Sequence, residues 1–231
     1  MSLTLSIVIP AYNEEQFIGR LLEQVASVDL DALGVRKDVI VVDDCSRDRT
    51  PEIVAASPGV RLHRLAQNSG KGAAVRAGLE LATGDYVIIQ DADLEYDPRD
   101  YIPMMQVILE GRADVVYGCR YTSGGRHPGQ SWPAYLGGRS LSLVCRLATG
   151  TYLTDTVTAL KLFPRTLMAS LDLRTSGFEL DHEITAKVLA KGLRIVEVPV
   201  RYYPRSRAEG KKIGARDWFI GVRTFFRFRN G

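Results

Sequence analysis

The spacing of apolar residues changes repeatedly along this chain. "LSIVIP" (5–10) is a near-continuous apolar run ending at a proline. After it, Phe17, Ile18, Leu21, Leu22 and Val25 recur at helical spacing. "DVIVVDD" (38–44) reads as a second buried strand, and "DRTPEIVAA" opens a helix with Thr50 as cap and Pro51 at its first position. "VRLHRL" (60–65) is a third strand, and "GKGAAVRAGLELATG" (70–84) a small-residue helix closed by Gly84. A strand over 86–90, a helix opened by Asp97-Pro98 and the strand "ADVVYG" (113–118) follow.

The second half is less regular. "YTSGGRHPGQSWP" (121–133) reads as a long loop, followed by a helix over 135–148, the strand "TVTALKLFP" (156–164), a helix over 179–191 and the strand "LRIVEVPVRY" (193–202). No internal repeat or dividing linker is visible, so one domain over residues 1–231 is expected. Repeated β–α units with strands apolar on both sides predict the α/β class, with a mostly parallel, Rossmann-like sheet and helices on both faces. Such sheets bind ligands at the carboxyl ends of their strands. Four strand ends carry reactive residues: "PAYNEE", "DDCSRD", "QDADLE" and "GCRY". In a parallel sheet all four reach one rim.

Composition adds limits. An apolar share of 45% and a charged share of 25% are ordinary for a globular protein. Three scattered cysteines, Cys45, Cys119 and Cys145, suggest a reducing compartment rather than a disulfide framework. The amino-terminal apolar run is too short for a signal peptide, and no window is long enough to span a bilayer. The net charge of +3 is unevenly spread: residues 201–231 hold nine basic residues against Glu209 and Asp217. A basic end of this kind suits an anionic partner: nucleic acid, phosphate or a membrane surface.

"DYVIIQDADLEYDP" (85–98) crowds five acids behind a strand. Asp85 follows Gly84 in a turn and starts the strand, while Asp97 before Pro98 reads as a helix cap. Asp91, Asp93 and Glu95 alternate, and in an extended segment they converge on one side. Three carboxylates at one point call for a cation, and oxygen-only ligands favour Mg²⁺ or Mn²⁺. An EF-hand wants Gly at position 96 and Glu at 102, where the chain has Tyr96 and Ile102; "NSGKGAA" lacks the glycine spacing of a P-loop. An aspartyl phosphatase fits poorly, with its acids too late in the chain.

With these residues in view, the chain resembles the family 2 glycosyltransferases of GT-A fold, in the branch of the dolichyl-phosphate mannose synthases. The matching stretches run almost end to end: "SIVIPAYNEE", "VIVVDDCSRDRT", "NSGKGAAVRAGLELATGDYVIIQDADLEYDP", "GCRY", "DTVTALKLF", "GFELDHEI" and "VEVPVRYYPRSRAEGKKI". The resemblance implies that Pro10, Tyr12 and Glu14 form the nucleoside end of the first strand and that Asp44, beside Asp43, reads the base. It implies that Asp91 and Asp93 form the metal–diphosphate motif, with Glu95 as a further ligand where relatives often have Gln. Lys71 and Ala92 join the nucleotide-sugar contacts. Arg120 and Arg139 hold an acceptor phosphate, Asp181 contacts the donor sugar, and Arg205 and Lys211 belong to a mobile basic loop (201–214) closing on the diphosphate. Asp93, Arg120, Arg139 and Asp181 are the implied catalytic set.

The implied reaction is transfer of a hexose, with inversion, from GDP-mannose or alternatively UDP-glucose to a polyprenyl (dolichyl-type) phosphate. It would take place at the cytoplasmic membrane face, with peripheral attachment and no nucleic acid as partner. A metal and basic side chains suit a departing diphosphate, and an anionic acceptor needs positive charge more than a strong base. A non-catalytic nucleotide-sugar-binding protein and a nucleotidyltransferase are the rival classes.

Among other residues, His182 lacks an aligned partner on its helix, and Asp155 reads as support for the site. His63 reads as a core or rim histidine, and Trp132 as a loop residue that packs or meets the acceptor. In the basic amphipathic helix over 215–231, Trp218, Phe219, Val222, Phe225 and Phe226 fall on one face and Arg216, Arg223 and Arg227 opposite. That apolar face suits either a membrane or the rest of the domain.

Overall fold

A computed structural model describes residues 2–121, 125–126, 130–204 and 215–231. Among the described residues, seven strands form one sheet: β1 (Leu3–Ala11), β2 (Val35–Asp43), β3 (Val60–Arg64), β4 (Tyr86–Ile89), β5 (Val115–Cys119), β6 (Lys161–Pro164) and β7 (Ile195–Pro199). Their order is β3-β2-β1-β4-β6-β5-β7. β6 runs antiparallel to β4 and β5, and every other pairing is parallel. The α-helices among the described residues are α1 (Ile18–Ser27), α2 (Thr50–Ala55), α3 (Lys71–Leu81), α4 (Tyr101–Leu109), α5 (Trp132–Thr149), α6 (Arg165–Ala169), α7 (Leu180–Ala190) and α8 (Ala215–Phe228).

The apolar strands are explained by cover on both faces. Leu5, Ile7 and Ile9 of β1 join Ile18 and Leu21 of α1 and Met104 and Met105 of α4 in one core. Val8, between them in sequence, points the other way and packs with Ala74 of α3. Val75, Ile89, Tyr117, Phe163 and Ile184 extend that second face under α7. Small residues set how closely α3 lies on the sheet: a Cβ on Gly78 would come within 2.4 Å of Val8 Cγ1.

After β1 the chain goes to β2 on one side and later returns to β4 on the other, so the strand order reverses at β1. A reversal opens a crevice at the carboxyl ends, between the residues following Ala11 and those following Ile89.

Several expected elements differ in detail. Thr50 is the first residue of α2 rather than its cap, which is Arg49 without a side-chain cap bond. Asp48 Oδ1 accepts from the Thr50 amide and hydroxyl at 3.0 and 2.6 Å, and Thr50 Oγ1 accepts from the Glu14 amide at 2.9 Å. Asp97 caps as expected, accepting from the Arg99 amide at 3.0 Å, but a short 3₁₀ turn (Pro98–Asp100) precedes α4. The strand expected over 156–164 pairs only from Lys161, because the residues before it turn through the site. Trp132 is not a loop residue but the first residue of α5, and His63 is exposed on the edge strand β3.

The tail helix divides its apolar face. Trp218, Val222, Phe225 and Phe228 pack on α5 and α7 with Leu141, Cys145 and Ala186, whereas Phe219 and Phe226 face outward at 68% and 43% exposure. Among the described residues no helix is long and apolar enough to cross a membrane.

Candidate active site

The loops after β1 and β2 are stitched together by short polar bonds. The Asn13 amide donates to Ser46 Oγ at 2.9 Å, and Asn13 Oδ1 accepts from the Arg47 amide at 2.9 Å. Asp43 is buried, 3.1 Å from Arg64 Nε, and accepts from the Ser46 amide. Asp44, also buried, accepts from the backbone amides of Ser69 and Gly70 at 2.7 and 2.8 Å. It thereby fixes the turn that opens α3, where Gly70 has φ 93° and a Cβ would lie 2.5 Å from the Ser176 carbonyl oxygen. Pro10 is buried in β1, and Tyr12 and Glu14 are half-buried on the loop that follows. These acids brace the rim, and each carboxylate has further lone pairs for a ligand.

The acidic stretch after β4 is not extended. Residues 92–95 form turns, and Leu94 takes φ 61°. The Glu95 amide donates to Asp93 Oδ1 at 3.1 Å, closing an Asx-type turn. That turn breaks the alternation, so the expected convergence of three carboxylates by strand geometry does not arise. Glu95 Oε2 accepts from the Tyr202 hydroxyl at 2.8 Å, and the Glu95 carbonyl from the Tyr203 amide at 2.8 Å. The stretch is thus tied to the residues after β7, where Tyr96 and Tyr202 stack at 5.3 Å between ring centroids.

Asp91 belongs to a different group. Lys71 Nζ, at the first residue of α3, lies 2.7 Å from Asp91 Oδ1 and 3.4 Å from Asp181 Oδ2. Lys161 Nζ, wholly buried at the start of β6, lies 2.6 Å from Asp181 Oδ1. Four charges therefore alternate in sign from the core to the rim: Lys161, Asp181, Lys71, Asp91. Burial pushes the Asp91 carboxyl up, against the pull of Lys71, and the charge of Asp93 adds to that push. Burial would raise Asp181 too, but Lys161 and Lys71 hold it below the ordinary carboxylate range. Burial lowers Lys161, against the pull of Asp181. Lys71 is raised, its carboxylate neighbours outweighing desolvation.

Across the rim lies a second charged group. Arg120, directly after β5, forms a two-pronged pair with Asp155 at 2.7 Å through both Nε and Nη2, and its amide donates to the same carboxylate at 3.1 Å. The backbone amides of Thr154 and Asp155 in turn donate to Glu197 of β7 at 2.7 Å. The guanidinium lies over the rings of Tyr121 and Tyr202, at 5.3 and 5.0 Å. Asp155 uses two of its five N–H donors. Arg139 of α5 donates to the Thr154 carbonyl at 2.9 Å and the Tyr152 hydroxyl at 2.5 Å. One short segment (152–155) thus positions both arginines.

Asp91 and Asp93 present hard oxygen donors at one turn and sense each other's charge. That donor set fits a divalent Mg²⁺ or Mn²⁺ ion, which commonly takes one or two carboxylates and completes its shell from substrate phosphates and water. Among the described residues no three His, Cys, Asp or Glu side chains gather as a metal site, which agrees with Glu95 being tied to Tyr202.

The sequence profile of the family described as glycosyl transferase family 2 matches residues 6–165. This chain belongs to glycosyl transferase family 2. It is 30% identical over 217 residues to the dolichol-phosphate mannosyltransferase of Pyrococcus furiosus, covering 90% of this chain and 59% of that protein. It is 31% identical over 204 residues to the low-salt glycan biosynthesis hexosyltransferase Agl6 of Haloferax volcanii, covering 87% of this chain and 48% of that one. The chain therefore spans about half the length of these relatives.

Among solved structures, mannosyl-3-phosphoglycerate synthase from Rubrobacter xylanophilus superposes with a TM-score of 0.71 at 20% identity, over 97% of this chain and 72% of that one. Glucosyl-3-phosphoglycerate synthase from Mycobacterium tuberculosis, solved with Mn²⁺ and UDP, gives 0.69 at 23%, over 90% and 74%. The fold is GT-A, as the resemblance implied.

For this family 2 chain the sequence named most of the residues that meet at the rim: Lys71, Asp91, Asp93 and Asp181 on one side, Arg120 and Arg139 on the other. Ala92 is buried within the acidic turn. Arg205 and Lys211, with most of the basic loop over 201–214, lie outside the described residues. Two participants were missed, Lys161 and Glu197. Lys161 had a signal: a lysine inside the apolar strand "ALKLF" needs a buried carboxylate partner. Glu197 in "IVEVP" carried a parallel one, since a carboxylate in an apolar strand needs donors, here the Thr154 and Asp155 amides.

Proposed function

We propose that this chain is a metal-dependent, inverting hexosyltransferase, acting as one catalytic domain on a nucleotide sugar and a polyprenyl phosphate. The observation that carries this reading is the placement of two oppositely equipped groups on one rim: Asp91 and Asp93 with Lys71 and Asp181 after β4, and Arg120 with Arg139 beyond β5. GDP-mannose and a dolichyl-type acceptor are the preferred pair, since a relative named dolichol-phosphate mannosyltransferase aligns along 90% of the chain.

In this reading, the loops braced by Asp43 and Asp44 seat the nucleoside beside Pro10, Tyr12 and Glu14. Asp91 and Asp93 would hold a divalent ion, which when bound would neutralise charge developing on the leaving diphosphate. Arg205 and Lys211 add positive charge on the same diphosphate. Asp181, kept ionised by two lysines, accepts hydrogen bonds from the sugar hydroxyls. Arg120 and Arg139 draw the acceptor phosphate to the anomeric carbon from the side opposite the diphosphate, so direct displacement inverts that centre. The acceptor oxygen is already an anion, so no proton need be removed from it.

The surface beside these arginines suits a lipid acceptor. α5 exposes Trp132, Leu136, Leu143 and Leu147 along one face, with Arg139 and Arg146 between them. On the neighbouring α8, Phe219 and Phe226 are exposed, as are Arg223 and Arg227. Aromatic and leucine side chains alternating with arginine suit the interface of an anionic bilayer. This supports peripheral attachment at a cytoplasmic membrane face.

The deciding experiment supplies GDP-mannose, UDP-glucose and other labelled donors with Mg²⁺ or Mn²⁺, with and without a short polyprenyl phosphate. Label entering the organic phase from GDP-mannose alone is the expected result. Entry from UDP-glucose alone moves the donor assignment to that nucleotide. Binding of donor without transfer to any lipid phosphate overturns the acceptor assignment and favours a non-catalytic binding protein.

A further inference from the structure

The alternating chain Lys161–Asp181–Lys71–Asp91 has a consequence for the order in which ligands enter. Its two ammonium groups and two carboxylates balance one another, and Asp93 adds one negative charge beside Asp91. Lys71 sits unequally within it, 2.7 Å from Asp91 and 3.4 Å from Asp181. The reason is Lys161, which already holds the other oxygen of Asp181 at 2.6 Å and halves its demand for a second cation. Lys71 is thereby left to Asp91. Lys161 cannot move to release it, since its side chain is fully enclosed in the sheet.

We infer that Lys71 is the built-in counter-ion of Asp91 and that it makes cation binding at Asp91 dependent on the nucleotide diphosphate. This rests on the donor-site reading given above. A divalent ion arriving alone must displace an ammonium from Asp91 and then sit beside it, adding two positive charges where the carboxylates exceed the ammonium groups by only one, Asp93. A nucleotide sugar arriving with the ion brings about two negative charges, and GDP or UDP roughly three, which offset those of the ion and give Lys71 a new acceptor. The two ligands therefore favour each other, and by linkage each tightens the other by the same factor. Lys161 acts one step further back, as a positioning residue: by occupying Asp181 it keeps Lys71 on Asp91 until the diphosphate draws it away.

The arrangement guards the acidic turn in the donor-free protein. Without Lys71, the half-buried Asp91 faces the charges of Asp93 and Asp181 while Lys161 stays on the far oxygen of Asp181, so Asp91 is left more open to a divalent ion arriving alone. With it, the turn is sealed until a phosphate-bearing ligand opens it.

The test is direct titration of Mn²⁺, followed by the loss of its free-ion electron paramagnetic resonance signal, in the absence and presence of GDP or UDP. In the unaltered protein Mn²⁺ alone is expected to bind at least about tenfold more weakly than Mn²⁺ with the preferred nucleoside diphosphate, within the usual range of coupling between sites. Lys71→Met is expected to tighten Mn²⁺ alone about tenfold and to reduce the coupling. Lys71→Arg, which keeps the charge, should behave like the unaltered protein.

Equal Mn²⁺ affinity with and without nucleotide in the unaltered protein overturns the inference while leaving the metal site in place. So does a Lys71→Met protein that binds Mn²⁺ alone no more tightly. Absence of Mn²⁺ binding under every condition overturns the Asp91–Asp93 metal reading itself, and the inference with it. The measurement on the unaltered protein needs no variant to fold.

Discussion

Lys161 and Asp181 meet at 2.6 Å at the junction of β6 and α7, with none of the lysine side chain exposed. Removing one member of a buried pair strands the charge of the other at a cost of about 3–5 kcal/mol, part of which Lys71, 3.4 Å from Asp181 Oδ2, would offset. Lys161→Met is therefore expected to lower the unfolding free energy by up to that amount, measured by urea denaturation. Lys161→Met combined with Asp181→Leu should recover much of the loss, and a double variant no better than the single one would contradict a pairwise origin. The double variant should still fail in transfer assays, because it removes the sugar contact proposed for Asp181.

Asp93 separates fold from chemistry. It lies in the turn after β4 and outside the cores. Asp93→Ala is expected to remove metal-dependent transfer by a factor of about a hundred or more while leaving the circular dichroism spectrum unchanged. Retained turnover at saturating Mn²⁺ would move the metal site elsewhere.

Arg120 tests the acceptor side. Its planar fork matches Asp155 at two points of 2.7 Å and lies between two tyrosine rings, and a lysine cannot reproduce either feature. Arg120→Lys should raise KM for the lipid phosphate tenfold or more, with a smaller change in KM for the nucleotide sugar. The reverse split, seen in steady-state kinetics with both substrates varied, would place Arg120 on the donor side.

His182 predicts an acid limb in stability. Its ring packs at 5.0 Å from Phe225 and against Gly221, and burial pushes its pKa down to about 4, with Asp181 opposing and Lys161 and Lys71 assisting. The unfolded chain binds a proton near pH 6.5 and the folded one only near 4, so between those values the unfolded state holds more protons. Stability then rises with pH through this window and is lost as pH falls through it, by at most about 3 kcal/mol. His182→Gln should flatten that part of the profile, read as urea midpoints at pH 7 and pH 5. An unchanged slope would assign it to the carboxylates alone.

The exposed leucines of α5 make a contrast with the packed aromatics of α8. Leu136→Glu with Leu147→Glu should weaken binding to vesicles rich in anionic phospholipid with little loss of stability, since both side chains are more than half exposed. Phe225→Glu should instead unfold the tail helix, because that ring is fully buried against α5 and α7. Vesicle co-sedimentation at low and high salt reads the first effect, and equal binding by the leucine variant would remove α5 from the membrane contact.

Much of the site was legible because its residues follow strand ends. A parallel sheet carries every such position to one rim, so "DDCSRD", "QDADLE" and "GCRY" were bound to meet once the sheet formed. The acidic turn is the exception. Strand-like alternation continued beyond Ile89 predicts that Asp91, Asp93 and Glu95 converge, whereas the Asp93 side chain captures the Glu95 amide and turns the backbone. A local side-chain bond of that kind competes with extended structure and leaves no trace in hydrophobic spacing.

The sequence by itself determined the strands, the helices and the chemistry at their ends, since periodicity and end residues are local properties. Tertiary structure decided the partners. Lys71 and Asp181 are 110 positions apart and Arg120 and Asp155 are 35 apart, and only the sheet order brings each pair within bonding distance. It also decided which half of the tail helix is core: Phe225 and Phe226 are neighbours in sequence and equally apolar, but α5 and α7 offer a groove to only one of them. Hydrophobicity sets how many side chains seek cover, and the packing of neighbouring helices sets which ones find it.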